Sequence, residues 1–529
     1  QGLGAGVTTR VAVVADRSPA LVVALVAILK LGACYVPVDA DYPAAYVEQV
    51  LKEVQPRIVL AGPGLELPCV VHVRLELLQL LHEAEVHGPT PVDVPLQTLG
   101  CVMVTSGSTG RPKAVMVPYA QLENWLHASW RRWPVQPGEV MLQKTAIAFA
   151  VSVKELLTGL LAGAPQLMLN SVVVRDAAAL AVAIERHGVT RMHLVPSHLA
   201  SLVEGGHAPR LQSLRLIVTA GEALTAVVAE RARRALPQAV LWNNYGCTEL
   251  NDVTYQEVTA TVCAGGFVPI GGPIENTRLR VLDERMEPVP VGVIGELHVQ
   301  GAGLARGYGG QPGLTAERFV ADPWGPPGTR MYRTGDLVRL RGDGQLEYLG
   351  RCDLEIKVRG YRIDVRQVEV ALSAHPDVAQ CVVQGWPVAA PDATLTAWVV
   401  PREGAAIDAA TLRDHLAAHL PTYMVPTAYT MADALPRLPN GKLDRMHLPV
   451  PDGAVAVGGH EDPRSDLERQ LAALFAEVLG VPRVGLRDDF FLCGGHSLLA
   501  TRLVARIRDE IGTDLPISAL FTHPTVEQL

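Results

Sequence analysis

Several features that are scarce or missing in this sequence exclude whole classes of protein. The eight cysteines are scattered, with no Cys-x-x-Cys pair and no zinc-binding spacing, which is typical of reduced thiols in a cytosolic protein. The formal net charge is -8 and no dense block of Lys and Arg occurs, so a nucleic-acid-binding surface is not expected. The longest apolar run, Ala20 to Leu29, is too short for a bilayer, which needs roughly 20 residues. We therefore expect a cytoplasmic protein that binds neither nucleic acid nor membrane.

The apolar run itself is better explained as a buried helix than as a signal peptide. Ser18 and Pro19 directly precede it, and they suit a helix N-cap and a first helical residue. A signal peptide would need a proper positively charged segment ahead of the run, and none is present.

Most of the chain before Leu349 alternates short apolar segments with helical patterns, which predicts α/β units with parallel sheets. From Arg278 to Leu349 the pattern is strand-rich with Gly and Pro turns, which predicts a small β-subdomain. A chain of 529 residues is too long for one core, so about two to four domains are expected. The candidate strands are Val11–Val14, Ile58–Ala61, Cys101–Val104, Met192–Val195, Leu214–Thr219 and Ala239–Trp242, and Val227–Leu236 has helical spacing.

A smaller α+β unit is predicted over residues 354–450. Its strands are expected near Ala379–Val383 and Thr396–Val400, and a helix near Ala410–Leu420. Residues 450–459 are small, polar and punctuated by Gly and Pro, which predicts a linker.

The most informative segment is the run TSGSTGRPK from Thr105 to Lys113. It follows the apolar run Cys101–Val104, combines glycines with hydroxyl groups, and ends on a lysine. Glycines let backbone N–H groups turn toward an anion, hydroxyls donate to phosphate oxygens, and lysine adds positive charge. The usual P-loop pattern is absent. A flexible surface turn is the alternative, but the preceding strand and the final lysine favour nucleotide binding.

This run resembles the signature of the adenylate-forming superfamily, which includes acyl-CoA synthetases, luciferase-like enzymes and the adenylation domains of nonribosomal peptide synthetases. Further segments match that superfamily, in its order along the chain, over residues 31–445. These segments are Leu31–Asp39, Asn243–Glu249, Gly295–Leu297 with Ala305–Tyr308, Tyr332–Asp336, Gly350–Asp353, Lys357–Arg362, Leu420–Pro426 and Asn440–Arg445.

The resemblance implies a multidomain fold: a large α/β N-subdomain with parallel sheets and a small β-subdomain, a mobile α+β C-terminal subdomain, and an all-α four-helix carrier domain. The superfamily's first motif, upstream of Val11, is missing, so N-terminal truncation is expected, and the carrier is expected to be clipped at Leu529 within its last helix. The expected domains are residues 1–352 and 353–450 for the two adenylation subdomains, with the hinge at Asp353, 451–462 for the linker and 463–529 for the peptidyl carrier.

The last part of the chain is strongly helical. Ser465 and Glu468 form a capping box ahead of an apolar helical face. Further on, the segment from Asp489 to Leu498 resembles the phosphopantetheine attachment site of carrier proteins, with Ser497 as the modified residue. By spacing alone, Ser497 would be read as the N-cap of a helix. The residues of the first helical face are Leu467, Leu471, Leu474, Phe475 and Val478.

The resemblance also implies a two-step reaction. A carboxylate is joined to AMP with loss of pyrophosphate, and the acyl group then passes to the 4′-phosphopantetheine thiol on Ser497. Charge must be stabilised at the α-phosphate, so lysines and a metal ion are expected there. Lys442 corresponds to the catalytic lysine, although an exposed loop lysine is the alternative, and rotation at Asp353 would withdraw it after adenylation. The expected cofactors are ATP, Mg²⁺ and 4′-phosphopantetheine.

Other residues receive roles through the same resemblance. Glu249 would hold Mg²⁺, with Thr248 beside the α-phosphate, because a hard cation prefers oxygen ligands. The alternative is that these two residues begin a helix. Asp336 matches the carboxylate that accepts the ribose hydroxyls. The catalytic residues are expected to be Lys442, Lys113 and Thr248, and the ATP-binding residues are expected to be Thr105, Ser106, Gly107, Ser108, Thr109, Gly110, Lys113, Gly221, Asn243, Tyr245, Asp336, Tyr348 and Arg351.

The acid that is activated should differ from an ordinary α-amino acid. Amino-acid-activating relatives use a Phe-Asp-x-Ser segment whose aspartate pairs with the α-ammonium group, and here the segment is Phe149-Ala-Val-Ser152. Ala150 holds no charge, and a buried unpaired ammonium costs several kcal/mol. Either the substrate has no α-amino group, or another carboxylate binds it. The pocket positions implied by alignment are Ala150, Val151, Lys154, His193, Val218, Ala220, Asn244, Asp252 and Val253.

This pocket is polar, so a fatty or simple aromatic acid is not expected. Asp252 could receive an amine on the β-carbon or further out, and Lys154 a second carboxylate, carbonyl or ureido oxygen. Alternatively, the two side chains merely neutralise each other. The favoured substrates are a β-amino acid or its ureido relative, or a hydroxy, keto or dicarboxylic acid, and an α-amino acid bound through Asp252 is the alternative.

Two other functions remain open at this point. One is an acyl-CoA ligase-like enzyme that uses soluble CoA, and the other is a non-catalytic adenylation-like scaffold that presents the carrier. The expected partners are the carboxylic or amino acid, the chain's own carrier domain, a phosphopantetheinyl transferase, condensation or other synthetase domains, and an MbtH-like protein.

Overall fold

β-Sheets of six, seven and five strands follow one another along the chain, and smaller sheets of two and three strands come after them. The structure is a computed structural model. It describes residues 4–62, 65, 74–76, 92–107, 110–262, 266–353, 355–358, 360–386, 393–405, 407–437, 443–451, 461–479, 481, 483–488, 490, 493, 497–513, 515, 519–520 and 523–529.

The first sheet has the strand order β4-β3-β1-β2-β5-β6, parallel except for the antiparallel pair β5–β6. Val11 to Ala15 are all buried, as in a parallel strand covered on both faces. The predicted helix cap is confirmed, since Ser18 Oγ accepts from the Leu21 backbone N–H at 3.3 Å. The elements are β1 (Arg10–Ala15), α1 (Pro19–Lys30), β2 (Cys34–Asp39), α2 (Ala44–Val54), β3 (Ile58–Ala61), β4 (Arg74–Glu76), β5 (Leu99–Thr105), β6 (Lys113–Pro118) and α3 (Tyr119–Arg132).

The second sheet has the order β13-β12-β11-β10-β9-β7-β8 and is parallel from β11 to β8. β12 then turns back antiparallel to β11, so the residues around this turn meet at one end of the sheet. The elements are β7 (Met141–Gln143), α4 (Ala150–Leu161), β8 (Gln166–Met168), α5 (Ser171–Arg175), α6 (Ala177–His187), β9 (Arg191–Leu194), α7 (Pro196–Glu204), β10 (Leu216–Thr219), α8 (Ala226–Ala235), β11 (Val240–Cys247), β12 (Asn251–Glu257) and β13 (Gly272–Pro273).

The predicted small β-subdomain is confirmed as an antiparallel sheet with β17 at its centre. Its elements are β14 (Thr277–Leu282), β15 (Ile294–Gly301), α9 (Pro312–Arg318), β16 (Phe319–Ala321), β17 (Arg330–Leu340) and β18 (Leu346–Arg351). Residues 4–353 are called the large lobe below.

The α+β unit that follows, called the small lobe, comprises residues 355–451. Its two-stranded hairpin and first helix pack on the first sheet, because Val358, Ile363 and Val368 share one buried cluster with Val14 and Val36 of the large lobe. The elements are β19 (Glu355–Val358), β20 (Tyr361–Asp364), α10 (Val365–Ser373), β21 (Val378–Trp386), β22 (Thr394–Pro401), α11 (Ala409–Ala417) and β23 (Ala428–Met431).

The carrier segment, residues 461–529, contains α12 (Asp466–Leu479) and α13 (Ser497–Ile511) around its own buried cluster. The predicted capping box is confirmed, because the Glu468 backbone N–H donates to Ser465 Oγ at 3.1 Å and the Ser465 N–H donates to Glu468 Oε2 at 2.7 Å. Most of the linker predicted for residues 451–462 lies outside the described residues. The predicted domain boundaries stay predictions.

Candidate active site

The loop between β5 and β6 sits where two strands of the first sheet hold its ends together, with Thr105 paired opposite Lys113. A Cβ at Gly107 would come within 1.8 Å of a carbonyl oxygen in the same loop, and Gly110 has φ +77°. Both positions therefore require glycine, as expected for a loop whose backbone N–H groups turn toward an anion. Ser108 and Thr109, also predicted to bind ATP, lie outside the described residues.

Lys113 is buried against a carboxylate that sequence reasoning missed. Its Nζ donates to Glu355 Oε1 at 2.6 Å, and the two side chains are only 5% and 2% exposed. Burial by itself would raise the pKa of Glu355, but Arg362 and Lys113 outweigh burial and lower this pKa. The signal available in the sequence was an acidic residue close after the predicted hinge.

Two neighbouring residues of the loop, Ser106 and Gly107, also contact the small lobe. Ser106 Oγ accepts from the Asp364 backbone N–H at 2.9 Å, and the Gly107 backbone N–H donates to Gln367 Oε1 at 3.0 Å. Three of the groups that the sequence predicts to bind phosphate, on Ser106, Gly107 and Lys113, are therefore paired with the β19–β20 hairpin and α10.

Thr248 and Glu249 lie in the turn between β11 and β12, so they do not begin a helix. Glu249 is fully buried, and its carboxylate accepts from Arg362 Nη1 and from the Tyr308 hydroxyl, both at 2.8 Å. Burial is the largest influence and would raise the pKa of Glu249, but Arg362, Tyr308 and Lys113 together outweigh it and the pKa is lowered. The carboxylate is therefore ionised at neutral pH and can attract a cation.

One carboxylate fits a magnesium ion bound together with a nucleotide. Mg²⁺ in such sites commonly takes one or two carboxylates and completes its octahedron with phosphate oxygens and water. Within the described ranges, no group of three or more His, Cys, Asp and Glu side chains could hold a metal alone. Mg²⁺ held by Glu249 would polarise phosphate oxygens and neutralise their charge.

The predicted nucleoside-binding residues lie together at the junction of β11, β17 and β18. Asp336 accepts from Arg351 Nη1 at 2.8 Å and from the Tyr245 hydroxyl, and it is 2% exposed. The rings of Tyr245 and Tyr348 are 6.4 Å apart. Lys357 Nζ lies 5.3 and 5.6 Å from these two ring centroids. Burial lowers the pKa of Lys357, a residue that sequence reasoning did not assign to the site.

Two further predicted ATP residues belong to neighbouring strands of the second sheet, one within β11 and one just after β10. Asn243, on β11, is buried, and its side-chain amide donates to the Pro269 carbonyl at 3.0 Å. Gly221 follows β10 with φ +88°, and a Cβ there would lie 3.5 Å from the backbone of Gly360 in the small lobe. Gly221 thus lies next to the small lobe, which also contacts the loop between β5 and β6.

The predicted hinge residue, Asp353, is held at the boundary between the lobes. It accepts from Arg351 Nε and Nη2 at 2.8 Å and from Arg318 Nη2 at 3.0 Å. Lys442 lies outside the described residues, so its catalytic role stays a prediction. Nearby, Arg445 donates to Glu369 at 2.6 Å, within the small lobe.

The predicted substrate pocket positions converge at the second sheet. Ala150, Val151 and Lys154 lie in the first turns of α4, and the others lie on or directly after four neighbouring strands. Those strand residues are His193 on β9, Val218 on β10 with Ala220 after it, Asn244 on β11, and Asp252 and Val253 on β12.

Lys154 and Asp252 form a buried ion pair, which is the neutralising arrangement left open above. Asp252 Oδ2 also accepts from the Tyr255 hydroxyl at 2.5 Å, and Asn244 donates to the same carboxylate. Burial would raise the pKa of Asp252, but Lys154 outweighs burial and the pKa is lowered. Tyr255, which sequence reasoning missed, was visible only as an aromatic residue three positions beyond Asp252.

Aromatic rings enclose the ammonium group of Lys154. Its Nζ lies 5.6 to 6.0 Å from the ring centroids of Trp125, Trp133 and Tyr255. Close by, burial lowers the pKa of His193 to about 3, so this side chain is neutral at pH 7. Its Nε2 is buried without a hydrogen-bond partner among the described residues. The pocket therefore holds balanced charges and an available imidazole nitrogen.

The carrier segment contacts the large lobe through α13 and α7. Arg502 Nη2 donates to Glu204 Oε2 at 3.1 Å, and Glu204 also pairs with Arg231. Ser497 is the first residue of α13, as its predicted position at a helix start requires, and its side chain lies outside the described residues.

Family profiles match the chain in three consecutive segments. The profile "AMP-binding enzyme" matches residues 1–309, "AMP-binding enzyme C-terminal domain" matches residues 367–442, and "Phosphopantetheine attachment site" matches residues 469–529. With the site described above, this arrangement defines an AMP-forming acid–thiol ligase whose own carrier domain follows it. The first profile covers more than half of the chain, and the chain belongs to the AMP-binding enzyme family.

Similar proteins are nonribosomal peptide synthetases. A dimodular nonribosomal peptide synthase of Bacillus subtilis is 41% identical over 99% of this chain and 22% of its own length. Phosphinothricin tripeptide synthetase PhsB of Streptomyces viridochromogenes is 41% identical over 98% of this chain and 44% of its own length. The chain thus spans less than half the length of these curated relatives.

Solved structures agree with this arrangement. Holo-PA1221, an adenylation–PCP protein bound to a vinylsulfonamide inhibitor, is similar with a TM-score of 0.81 at 28% identity, covering 99% of this chain and 87% of that protein. The four-domain synthetase AB3403, bound to AMP and glycine, is similar with a TM-score of 0.61 at 32% identity, covering 100% of this chain and 39% of that protein. ATP, Mg²⁺ and phosphopantetheine are accordingly the cofactors of this class of enzyme.

In the part of the chain that the structure describes, the helices are all too short or too polar to cross a membrane.

Proposed function

We propose that this chain activates a polar carboxylic acid without an α-ammonium group, as the acyl-adenylate, and loads it onto the phosphopantetheine of Ser497. The observation that carries the proposal is the state of Asp252, the only carboxylate among the predicted pocket positions. It is already paired with Lys154 and accepts from Tyr255.

Charge balance in the pocket argues against an ordinary α-amino acid as substrate. An α-ammonium group would need a buried counter-charge, and Ala150 supplies none. Taking Asp252 as that partner would leave Lys154, which is 1% exposed, without its own counter-charge. A substrate whose only charge is the reacting carboxylate leaves the pair intact.

Within the predicted substrate classes, a hydroxy or keto acid fits these contacts best. The neutral imidazole of His193 has a buried Nε2 available for a hydroxyl or a carbonyl group. A β-amino, ureido or dicarboxylic acid would have to compete with the Lys154–Asp252 pair, so these classes serve as alternative outcomes of the substrate test.

For the nucleotide, we propose the roles that the resemblance implies. Lys113 and the backbone of its loop hold the β- and γ-phosphates, Glu249 holds Mg²⁺, and Asp336 accepts the ribose hydroxyls. Tyr245, Tyr348 and Arg351 surround the nucleoside, and Lys442 acts between the carboxylate and the α-phosphate. The buried, ionised Glu249 and the glycine-dependent loop support these assignments.

The wider context is also part of the proposal. We expect a phosphopantetheinyl transferase to modify Ser497, and condensation or other synthetase domains to take the loaded acyl group. An MbtH-like protein is a further candidate partner of the large lobe, and the cytoplasm is the expected compartment.

ATP–pyrophosphate exchange tests the substrate class directly. The panel should contain matched acids that share a side chain and differ only in an α-amino, α-hydroxy or α-keto group. Wild type should exchange with the hydroxy or keto acid, and Ala150→Asp should gain exchange with the amino acid. An aspartate is tolerated here because it stands at a helix N-terminus. The control is Ala410→Asp, which adds the same charge to the first turn of α11 in the small lobe.

Clear outcomes contradict this proposal. Preferential exchange with the α-amino acid by wild type would refute the substrate class, and exchange with no acid would favour the scaffold. Mass spectrometry of the phosphopantetheinylated chain distinguishes carrier loading from an acyl-CoA ligase. Acylation at Ser497 supports carrier loading, and release of acyl-CoA supports a CoA ligase.

A further inference from the structure

Small-lobe side chains lie where the phosphates and the metal ion are proposed to bind, and each has the same charge sign as the ligand whose place it takes. Glu355 presents a carboxylate to Lys113 at 2.6 Å, where the loop would bind a phosphate oxygen. The guanidinium of Arg362 lies 2.8 Å from Glu249, where the cation Mg²⁺ would bind. Each large-lobe group thus has a small-lobe partner of the same charge sign as its proposed ligand.

An uncharged side chain of the small lobe also takes the place of a phosphate oxygen. Gln367 Oε1 accepts from the Gly107 backbone N–H at 3.0 Å, as a phosphate oxygen would. Ser106 Oγ likewise donates to the Arg362 backbone carbonyl at 2.9 Å, as it would to a phosphate oxygen. The correspondence therefore extends from the ions to the hydrogen-bond donors of the loop.

Burial makes these partners necessary. Lys113 is 4% exposed, Glu355 2% and Glu249 0%. Removing one member of such a buried pair leaves an uncompensated charge, which is strongly unfavourable. When magnesium pyrophosphate leaves, Lys113 and Glu249 would both lose their counter-charges unless other groups replaced them.

We propose that Glu355, Arg362 and Gln367 are positioning residues that replace magnesium pyrophosphate after adenylation, and thereby hold the small lobe closed for thioester formation. This inference rests on the proposed roles of Lys113 and Glu249. The β19–β20 hairpin and magnesium pyrophosphate cannot both contact Lys113 and Glu249 at the same time. Closure is therefore favoured only once pyrophosphate has left. The simultaneous contact of α13 with α7 agrees with closure belonging to the carrier-loading step.

If Glu355 and magnesium pyrophosphate compete for Lys113, removing the carboxylate of Glu355 should change the affinity for magnesium pyrophosphate in a known direction. Magnesium pyrophosphate binding is measured by calorimetry on the full chain, with Glu355→Gln as the test variant. Removing the competing carboxylate should tighten binding by about threefold to tenfold, since the ligand no longer displaces an ion pair. Simple structural damage would weaken binding instead. The control is Glu347→Gln, which removes a carboxylate paired with Arg339 at 2.7 Å on β17–β18, in the large lobe.

Hydrogen exchange of the β19–β20 backbone amides provides a readout besides activity. Magnesium pyrophosphate should increase exchange of this hairpin in wild type, and Glu355→Gln should increase it without ligand. Gln367→Met serves as a second variant that changes no charge, and it should also tighten binding. In activity, Glu355→Gln should slow carrier loading severalfold more than it slows pyrophosphate exchange.

The measurements distinguish failure of this proposal from failure of the phosphate site on which it rests. If magnesium pyrophosphate binds wild type but leaves hairpin exchange unchanged, or if both variants bind it no more tightly than wild type, the replacement proposal is wrong. If it does not bind wild type at all, or binds equally well to Lys113→Ala, the proposed phosphate site itself is wrong.

Discussion

Breaking the Lys154–Asp252 pair from one side should destabilise the large lobe strongly. The test variant is Asp252→Asn, which keeps the shape of the side chain and its place beside Tyr255, but leaves a buried ammonium group without counter-charge. Loss of one partner from a buried pair costs about 3–5 kcal/mol. The aromatic rings around Lys154 contact its ammonium group in wild type and variant alike, so they do not offset this cost. The expected loss in the free energy of unfolding is therefore about 3–5 kcal/mol.

The double variant Lys154→Met with Asp252→Asn supplies the control. This double variant has neither charge, and its methionine fills the space between the aromatic rings. Its free energy of unfolding should be lower than that of wild type by about 1 kcal/mol or less. The assay is urea unfolding followed by tryptophan fluorescence, because Trp125 and Trp133 line the cage around Lys154. Only the transition of the large lobe should be compared, since a chain of several domains need not unfold in one step.

The pH dependence of this difference follows from Asp252. Its pKa in the folded protein lies below the unfolded value of about 3.9. The ionised carboxylate therefore stabilises the fold above that pH, and this contribution is lost as pH falls through the folded pKa. The difference in the free energy of unfolding between wild type and Asp252→Asn should be largest at pH 7. It should become smaller as the pH falls below about 4. An Asp252→Asn protein as stable as wild type, with no coupling to Lys154→Met, would refute the reasoning.

Two further predictions concern the carrier and the catalytic lysine. Glu204→Arg should slow carrier loading about two- to fivefold at low salt, as expected for a partly exposed ion pair, and Arg502→Glu in the same chain should restore it. Quenched-flow measurement of thioester formation tests this, and equal loading by wild type and the single variant would count against the contact. Lys442→Ala should abolish most acyl-adenylate formation while circular dichroism stays unchanged. Undiminished charging of the prosthetic thiol by that variant would remove the lysine from the mechanism.

Local patterns were sufficient for many elements of the fold. The strand predicted at Ile58–Ala61 has those bounds in the structure, and the helix at Val227–Leu236 is displaced by one residue. The cap at Ser18 and the capping box at Ser465 depend on residues no more than three positions away. Such features were readable because the interactions that create them lie within a single turn of chain.

The site was readable only in part. The glycine pattern of the nucleotide loop and the missing acid at Ala150 were visible in the sequence. Glu355 and Arg362 received no role in the sequence analysis, although Arg362 ends a matched segment, because nothing local relates them to Lys113 and Glu249. Glu355 lies 242 positions along the chain from Lys113, and only the closure of the two lobes brings the pair together.

By itself, the sequence determined the order of the domains, the loop chemistry and the absence of an acid beside Phe149, because each is a property of neighbouring residues. The tertiary structure decided that Lys154 and Asp252 form an ion pair with each other, and that the small lobe covers the groups proposed to bind phosphate. Both depend on which buried charges meet in space, and charges removed from water must find a partner wherever the fold provides one.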